Sequence, residues 1–249
     1  MSVRTLRRDR VLAIVMEREE KRNALNPAMT DGLDAALNEL EDSPDLWCGV
    51  LTGGDRVFSA GADLAEGVGE RTERGGLVGL ITRHRTKPLI AAVEGYALGG
   101  GFELVLCCDL VVASTTASFG LPEPKRGLMA DFGGAFRVTR VLAANVAREI
   151  LLTGDPIDAE RAERLGLVNV LCEPGCALEA AFDLAARVCQ NAPLAIRETL
   201  EVANAEISGD ESSNWQRSDA AHGRLLKTSD VQEGIGAFFE RREPKWTGQ

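Results

Sequence analysis

Four short aliphatic runs punctuate the first half of this chain: VLAIVM at 11–16, WCGVLT at 47–52, LIAAV at 89–93 and DLVVAS at 109–114. Each has the length of a strand, and helical or glycine-rich segments separate them, the pattern of a layered α/β domain. Asn26-Pro27 opens the first helix, with Asn as N-cap and Pro at the first helical position. Met29, Leu33, Ala36, Leu37 and Leu40 give that helix one apolar face, and Ser43-Pro44 ends it. Residues 53–76, rich in Gly, Asp, Glu and Arg, read as a long surface loop of the kind that tends to be functional. A helix is expected around 76–85, before Pro88, and another from about 100 to 107. From about residue 132 the pattern turns helical. Asp158 caps a helix ending near Gly166, 167–171 is a short strand, and helices are expected over 177–189, 193–207, 213–222 and 230–241.

Only 5% of the 249 residues are aromatic, so the core is built from Ala, Val, Leu and Ile. The formal net charge of -10 argues against nucleic acid or an anionic membrane surface as the main partner. Arg4, Arg7, Arg8 and Arg10 before VLAIVM imitate a signal peptide only superficially, because the apolar run is short and no small-residue cleavage site follows. No run approaches the ~18 apolar residues that a membrane span needs. Six cysteines without a C-x-x-C pair, and only His84 and His222, speak against a zinc site. Cys48, Cys107 and Cys108 fall in core-like segments, the usage of a reduced, cytoplasmic protein. The two histidines read as surface or capping residues.

AVEGYALGGGFEL places Gly99, Gly100 and Gly101 between a strand and a helix. It lacks both the G-x-G-x-x-G spacing of a dinucleotide loop and the G-K-[ST] of a P-loop. Close helix–strand packing is one reading. The other is a helix N-terminus whose free N–H groups face negative charge. FSAGADL at 58–64 supplies a second glycine-backed turn, with Gly61 and Ala62. Two such turns can aim two N–H groups at one carbonyl oxygen, the construction of an oxyanion hole.

FSAGADL, KPLIAAVEGYALGGGFEL, CDLVVA and SFGLPE, followed by LLTGDPIDAERAERLGLVN and AFFERREPKW, strongly resemble the enoyl-CoA hydratase (crotonase) superfamily from Val11 to Trp246. FGLPEPKRGLMADFGG and EGIGAFFERREPKWTG are most similar to carnitinyl-CoA dehydratase-like members. The resemblance implies an α/β crotonase-type fold, a right-handed spiral of ββα units over 1–192 with a C-terminal helical oligomerisation region over 193–249. It implies a homotrimer or dimer of trimers, and a hydro-lyase acting on an acyl-CoA thioester. No metal is expected and no separate cofactor, since coenzyme A is part of the substrate. The oxyanion hole maps onto the N–H groups of Ala62 and Gly100. Glu103 would activate water and Glu123 would handle the α-proton. The backbone around Asn23, Ala24, Leu25, Ala60, Asp63 and Leu64 would contact CoA, with Lys21 and Arg22 near its phosphates. Phe238 and Arg241 would reach a neighbouring subunit's CoA. Asp131 matches a position where dienoyl-CoA isomerases carry a carboxylate. It is expected either to shape substrate choice, for instance toward a cationic acyl head, or to cap the helix beginning near Gly133. Rival readings are an isomerase of the same fold and a non-catalytic CoA-binding member.

Overall fold

The computed structural model describes residues 2–191, 193–207, 215–216, 219, 222–223 and 226–245. The aliphatic runs assemble into a six-stranded sheet in the order β1 (Val3–Arg8), β2 (Val11–Met16), β3 (Cys48–Thr52), β4 (Leu89–Val93), β6 (Leu110–Ser114) and β9 (Val170–Cys172). β1 and β2 form an antiparallel hairpin, and the pairings from β2 to β9 are all parallel. The runs are apolar throughout because both faces of this sheet are covered, as parallel sheets require. Leu12, Ile14 and Met16 join Leu33, Leu37 and Leu40 of α1 (Pro27–Asp42) in one core. The alternate residues Val11 and Ala13 face the other way, with Val50, Ile90 and Ala92, beneath Ala177, Ala181 and Ala185 of α6 (Ala177–Cys189). The expected apolar face of α1 is buried, and Asn26 Oδ1 accepts the Met29 N–H at 3.0 Å as its N-cap.

A smaller sheet of β5 (Tyr96–Leu98), β7 (Ser118–Gly120) and β8 (Ile157–Asp158) forms a second layer. β4 leads into β5 and then into α2 (Gly100–Val105), and β6 leads into β7. β5 pairs in parallel with β7. Successive strand–strand units therefore stack turn upon turn, with one strand in each sheet. The remaining helices are α3 (Gly134–Val141), α4 (Ala144–Thr153), α5 (Ala159–Arg164, capped by Asp158), α7 (Pro193–Ile207) and α8 (Ser229–Glu240). The bounds of α6 and α7 are those expected. The helix expected over 213–222 lies largely outside the described residues, although Trp215, Gln216, Asp219 and His222 are helical.

Three segments depart from expectation. Val3–Arg8 is an edge strand, exposed along most of its length and therefore without apolar signature. Its arginines pair outward, Arg4 with Glu17 at 2.6 Å and Arg8 with Glu179 at 2.7 Å, a charged edge that discourages further strand pairing. β5 and β7 are too short for periodicity to show. The expected helix at 76–85 shrinks to one 3₁₀ turn, Leu77–Gly79, because Gly76, Val78 and Gly79 all have positive φ. The 53–76 segment is a loop as expected, but it is lashed to α1: Thr30 Oγ1 donates to Val68 O at 2.6 Å, Thr72 Oγ1 to Asp34 at 2.7 Å, and Arg74 pairs with Asp42. All six cysteines are free, with Cys48 buried and Cys107 and Cys108 half-buried against the core. Burial pushes the Cys48 and Cys108 thiols upward, against a role as nucleophiles.

Candidate active site

Two turns from distant parts of the sequence meet at the end of β5. The Ser59 N–H donates to Tyr96 O at 3.1 Å, and the Leu98 N–H donates to Ser59 O at 3.0 Å. Ser59 Oγ donates to Asn23 O at 2.8 Å and accepts the Gly61 N–H at 3.1 Å. On its other side the turn pairs with Leu25, whose N–H donates to Gly61 O and whose carbonyl accepts the Asp63 N–H, both at 2.8 Å. Ala62 lies between those two bonds, so its N–H faces away from Leu25 and has no protein acceptor among the described residues. Gly100 is the first residue of α2, where an N–H has no intrahelical acceptor.

The glycines let these two turns come together. A Cβ on Gly61 would stand 3.0 Å from the Gly100 nitrogen and 2.8 Å from Leu98 O. A Cβ on Gly101 would stand 2.6 Å from Ser59 O. Close packing and an exposed helix N-terminus are thus two consequences of one arrangement.

The carboxylates flank this point. Glu103, in the first turn of α2, is 2% exposed, and its Oε1 accepts the Gly134 N–H at the start of α3 at 2.8 Å. That N-terminal donor of α3 therefore goes to Glu103. Glu123 opens a 3₁₀ turn, Glu123–Arg126, directly after β7. The pairing of β5 with β7 carries it to the glycine run, where its Oε1 lies 3.1 Å from the place of a Cβ on Gly99. Its Oε2 is buried without a hydrogen-bond partner among the described residues. Burial raises Glu103 well above the ordinary carboxylate range, and the charges of Glu123 and Asp131 push it the same way. Burial, with Asp131, raises Glu123 to about 7. With Glu103 buried and Glu123 half-buried beside it, ionising both carboxyls at once is disfavoured.

Asp131 is also raised, by burial first and by Asp219, and is drawn down by His222. Its Oδ2 lies 3.0 Å from His222 Nδ1. His222 had no motif to mark it in the sequence, and nothing local could reveal a contact made across so much chain. Among the described residues no cluster of three or more His, Cys, Asp or Glu is placed to hold a metal ion.

Of the expected CoA contacts, Asn23 and Asp63 have side chains committed internally. Asn23 Nδ2 donates to Gly53 O and Val57 O, and Asp63 pairs with Arg18 at 2.7 Å. Their backbone N–H groups are committed as well, Asn23 to Arg18 O and Asp63 to Leu25 O, as are those of Ala24 to Lys21 O, Leu25 to Gly61 O and Ala60 to Arg22 O. Ala24, Ala60 and Leu64 are half-buried and Leu25 is buried. Lys21 and Arg22 are exposed. Phe238 is 46% exposed and stacks under Arg126, in the 3₁₀ turn that carries Glu123, and Arg241 is the C-cap of α8. A cavity of about 830 Å³, lined by Leu80, Arg83, Cys107, Arg137, Leu200 and Trp215 among others, is lined by none of Ala62, Gly100, Glu103 or Glu123. The candidate donors and acids do not coincide with that cavity.

The family model described as Enoyl-CoA hydratase/isomerase matches residues 7–249. A mevalonyl-coenzyme A hydratase of Aspergillus fumigatus is 38% identical over 245 residues, 95% of this chain and 91% of the relative. A carnitinyl-CoA dehydratase of Citrobacter koseri is 38% identical over 250 residues, 96% of this chain and 95% of the relative. A crystal structure of a carnitinyl-CoA hydratase from Mycobacterium avium superposes with a TM-score of 0.95 at 41% identity, covering 100% of this chain and 99% of the other.

Proposed function

This chain belongs to the enoyl-CoA hydratase/isomerase family, and from that premise we propose a hydro-lyase that adds water across the double bond of an enoyl-CoA, or removes it in reverse. The thioester oxygen accepts the N–H groups of Ala62 and Gly100. Glu103 takes a proton from water as the oxygen bonds to C3. The π electrons move onto the thioester as an enolate, and Glu123 delivers a proton to C2. Each proton taken from water is matched by one returned to carbon, so the reaction balances. The observation that carries this reading is buried Glu103 and half-buried Glu123 beside the Gly61–Ala62 turn and the start of α2, with Glu123 raised to about 7 and so able to hold a proton near neutral pH. Both glutamates count against an isomerase, which needs no group to activate water. Glu103→Gln and Glu123→Gln should each lower kcat by at least ~10²-fold while a CoA product still binds, as loss of a general acid or base does. Near-wild-type hydration by either variant overturns the two-glutamate mechanism.

The backbone at 23–25 and 60–64 is proposed to hold CoA, with no separate cofactor. Phe238 and Arg241 are proposed to meet a neighbouring subunit's CoA in a homotrimer or dimer of trimers, and residues 193–249 to form its oligomerisation region. Exposed Leu194, Phe238 and Phe239 support that assembly. Six free cysteines support a cytoplasmic location. The acyl group is proposed to be polar, since Glu123, Asp131 and His222 crowd one side of the site, with Asp131 shaping substrate choice.

A further inference from the structure

His222 belongs to the C-terminal region, yet its Nδ1 stands 3.0 Å from Asp131 Oδ2, with side chains 36% and 24% exposed. Nδ1 is buried and has no aligned hydrogen-bond acceptor among the described residues. Trp215, Asp219 and His222 are each helical. Trp215 packs edge-on against Phe136 of α3 at 5.6 Å between ring centroids.

Asp131 adds a third negative charge to a buried site. Facing it and the catalytic pair are Glu103 from α2, Glu123 and Arg126 from the 3₁₀ turn, and Asp219 and His222 from the C-terminal region. Arg126 draws Glu123 down, Asp219 pushes Asp131 up, and His222 draws Asp131 down. Three neighbouring carboxylates, one buried and two half-buried, would take up protons if no cation offset their charge. Hydration needs one carboxylate ionised and one protonated.

We propose that His222 is a positioning residue: its contact with Asp131 keeps a third carboxylate from loading extra protons onto Glu103 and Glu123, so that the pair holds one proton near neutral pH. The role rests on the hydratase reading and lies outside the two-glutamate mechanism itself.

The test is the pH profile of kcat/KM on an enoyl-CoA that the wild type hydrates, for His222→Ala, Asp131→Asn and the double variant. It is paired with carbon-13 titration of Glu and Asp side-chain carboxyls in the substrate-free protein. His222→Ala should move the acid limb up by about one unit, the low end of what a nearby opposite charge contributes. Its carboxyl cluster should hold more protons at neutral pH. His222→Lys should return the limb toward wild type. In the Asp131→Asn background, His222→Ala should move nothing further, since the partner through which it acts is gone. An unmoved limb and unmoved carboxyl titrations in His222→Ala overturn the proposal, as does a shift that persists undiminished without Asp131. A fall in kcat and Tm with the titrations unmoved assigns His222 to packing and overturns it equally. If the wild type hydrates no enoyl-CoA, the hydratase reading fails, and the substrate-free titration still decides the role of His222.

Discussion

Glu123 links the proposed chemistry to the stability of the fold. Its folded pKa is raised from 4.5 to about 7 by burial and by Asp131. The native state therefore binds this proton more tightly than the unfolded chain does. The resulting stability is fully present below about 4.5 and is lost as pH rises through about 7. Glu123→Gln should accordingly flatten the fall in stability between those pH values and make the protein more stable at alkaline pH, by roughly 1–3 kcal/mol. Denaturant titrations of wild type and variant across that range check this, and parallel curves would refute it. Asp131 carries a separate prediction about substrate. Asp131→Asn should lower kcat/KM on a trimethylammonium-bearing acyl-CoA about tenfold more than on a neutral one, an effect of ~1.4 kcal/mol. Equal small losses on both substrates, with a lowered Tm, would leave Asp131 a structural role only.

At the scale of elements, the turn between β5 and α2 ties backbone conformation to the placement of Glu123. Gly99 has φ +54, and a Cβ there would come within 3.1 Å of Glu123 Oε1. Gly166 also has a positive φ, +82, but nothing lies within 4 Å of its Cβ position. Both Gly→Ala changes should destabilise by about 1–3 kcal/mol through backbone strain. Only Gly99→Ala should also cut kcat, because it displaces a carboxylate. Activity and Tm measured on both variants separate the two effects, and full activity in Gly99→Ala would show that Glu123 does not depend on this turn. Asn26 is a second element-scale test. Its Oδ1 caps α1, and its Nδ2 donates to Glu66 at 2.7 Å, so one side chain holds both the helix start and the 53–76 loop. Asn26→Ala should cost about 1–2 kcal/mol, with hydrogen exchange rising in residues 63–68 as well as in the first turn of α1.

For the whole molecule the outstanding prediction is assembly. α7 leaves Leu194 69% exposed and α8 leaves Phe239 56% exposed, apolar area that a solitary chain would leave in water. A trimer or a dimer of trimers should appear by sedimentation at micromolar concentration, and a clean monomer would reject it.

Local physics made much of the scaffold legible in the sequence. The all-apolar strands, the Asn26-Pro27 start, the Asp158 cap and the bounds of α6 and α7 each depend on a few neighbouring residues. The family's motifs marked Ala62, Gly100, Glu103 and Glu123 one by one. What the sequence left open was decided by contacts between distant segments. β1 lacks an apolar pattern and exists because β2 offers it an edge. β5 and β7 are too short to declare themselves, yet their pairing brings Glu123 to Gly99. The helix expected at 76–85 gave way to three positive φ angles. Whether the glycine run served packing or donor exposure could not be settled along the chain, because Gly101 meets Ser59 and Gly61 meets Gly100 only in the fold. The contact of His222 with Asp131 is the extreme case: a single histidine carries no periodicity and no motif, and its partner is chosen by where the C-terminal region comes to rest.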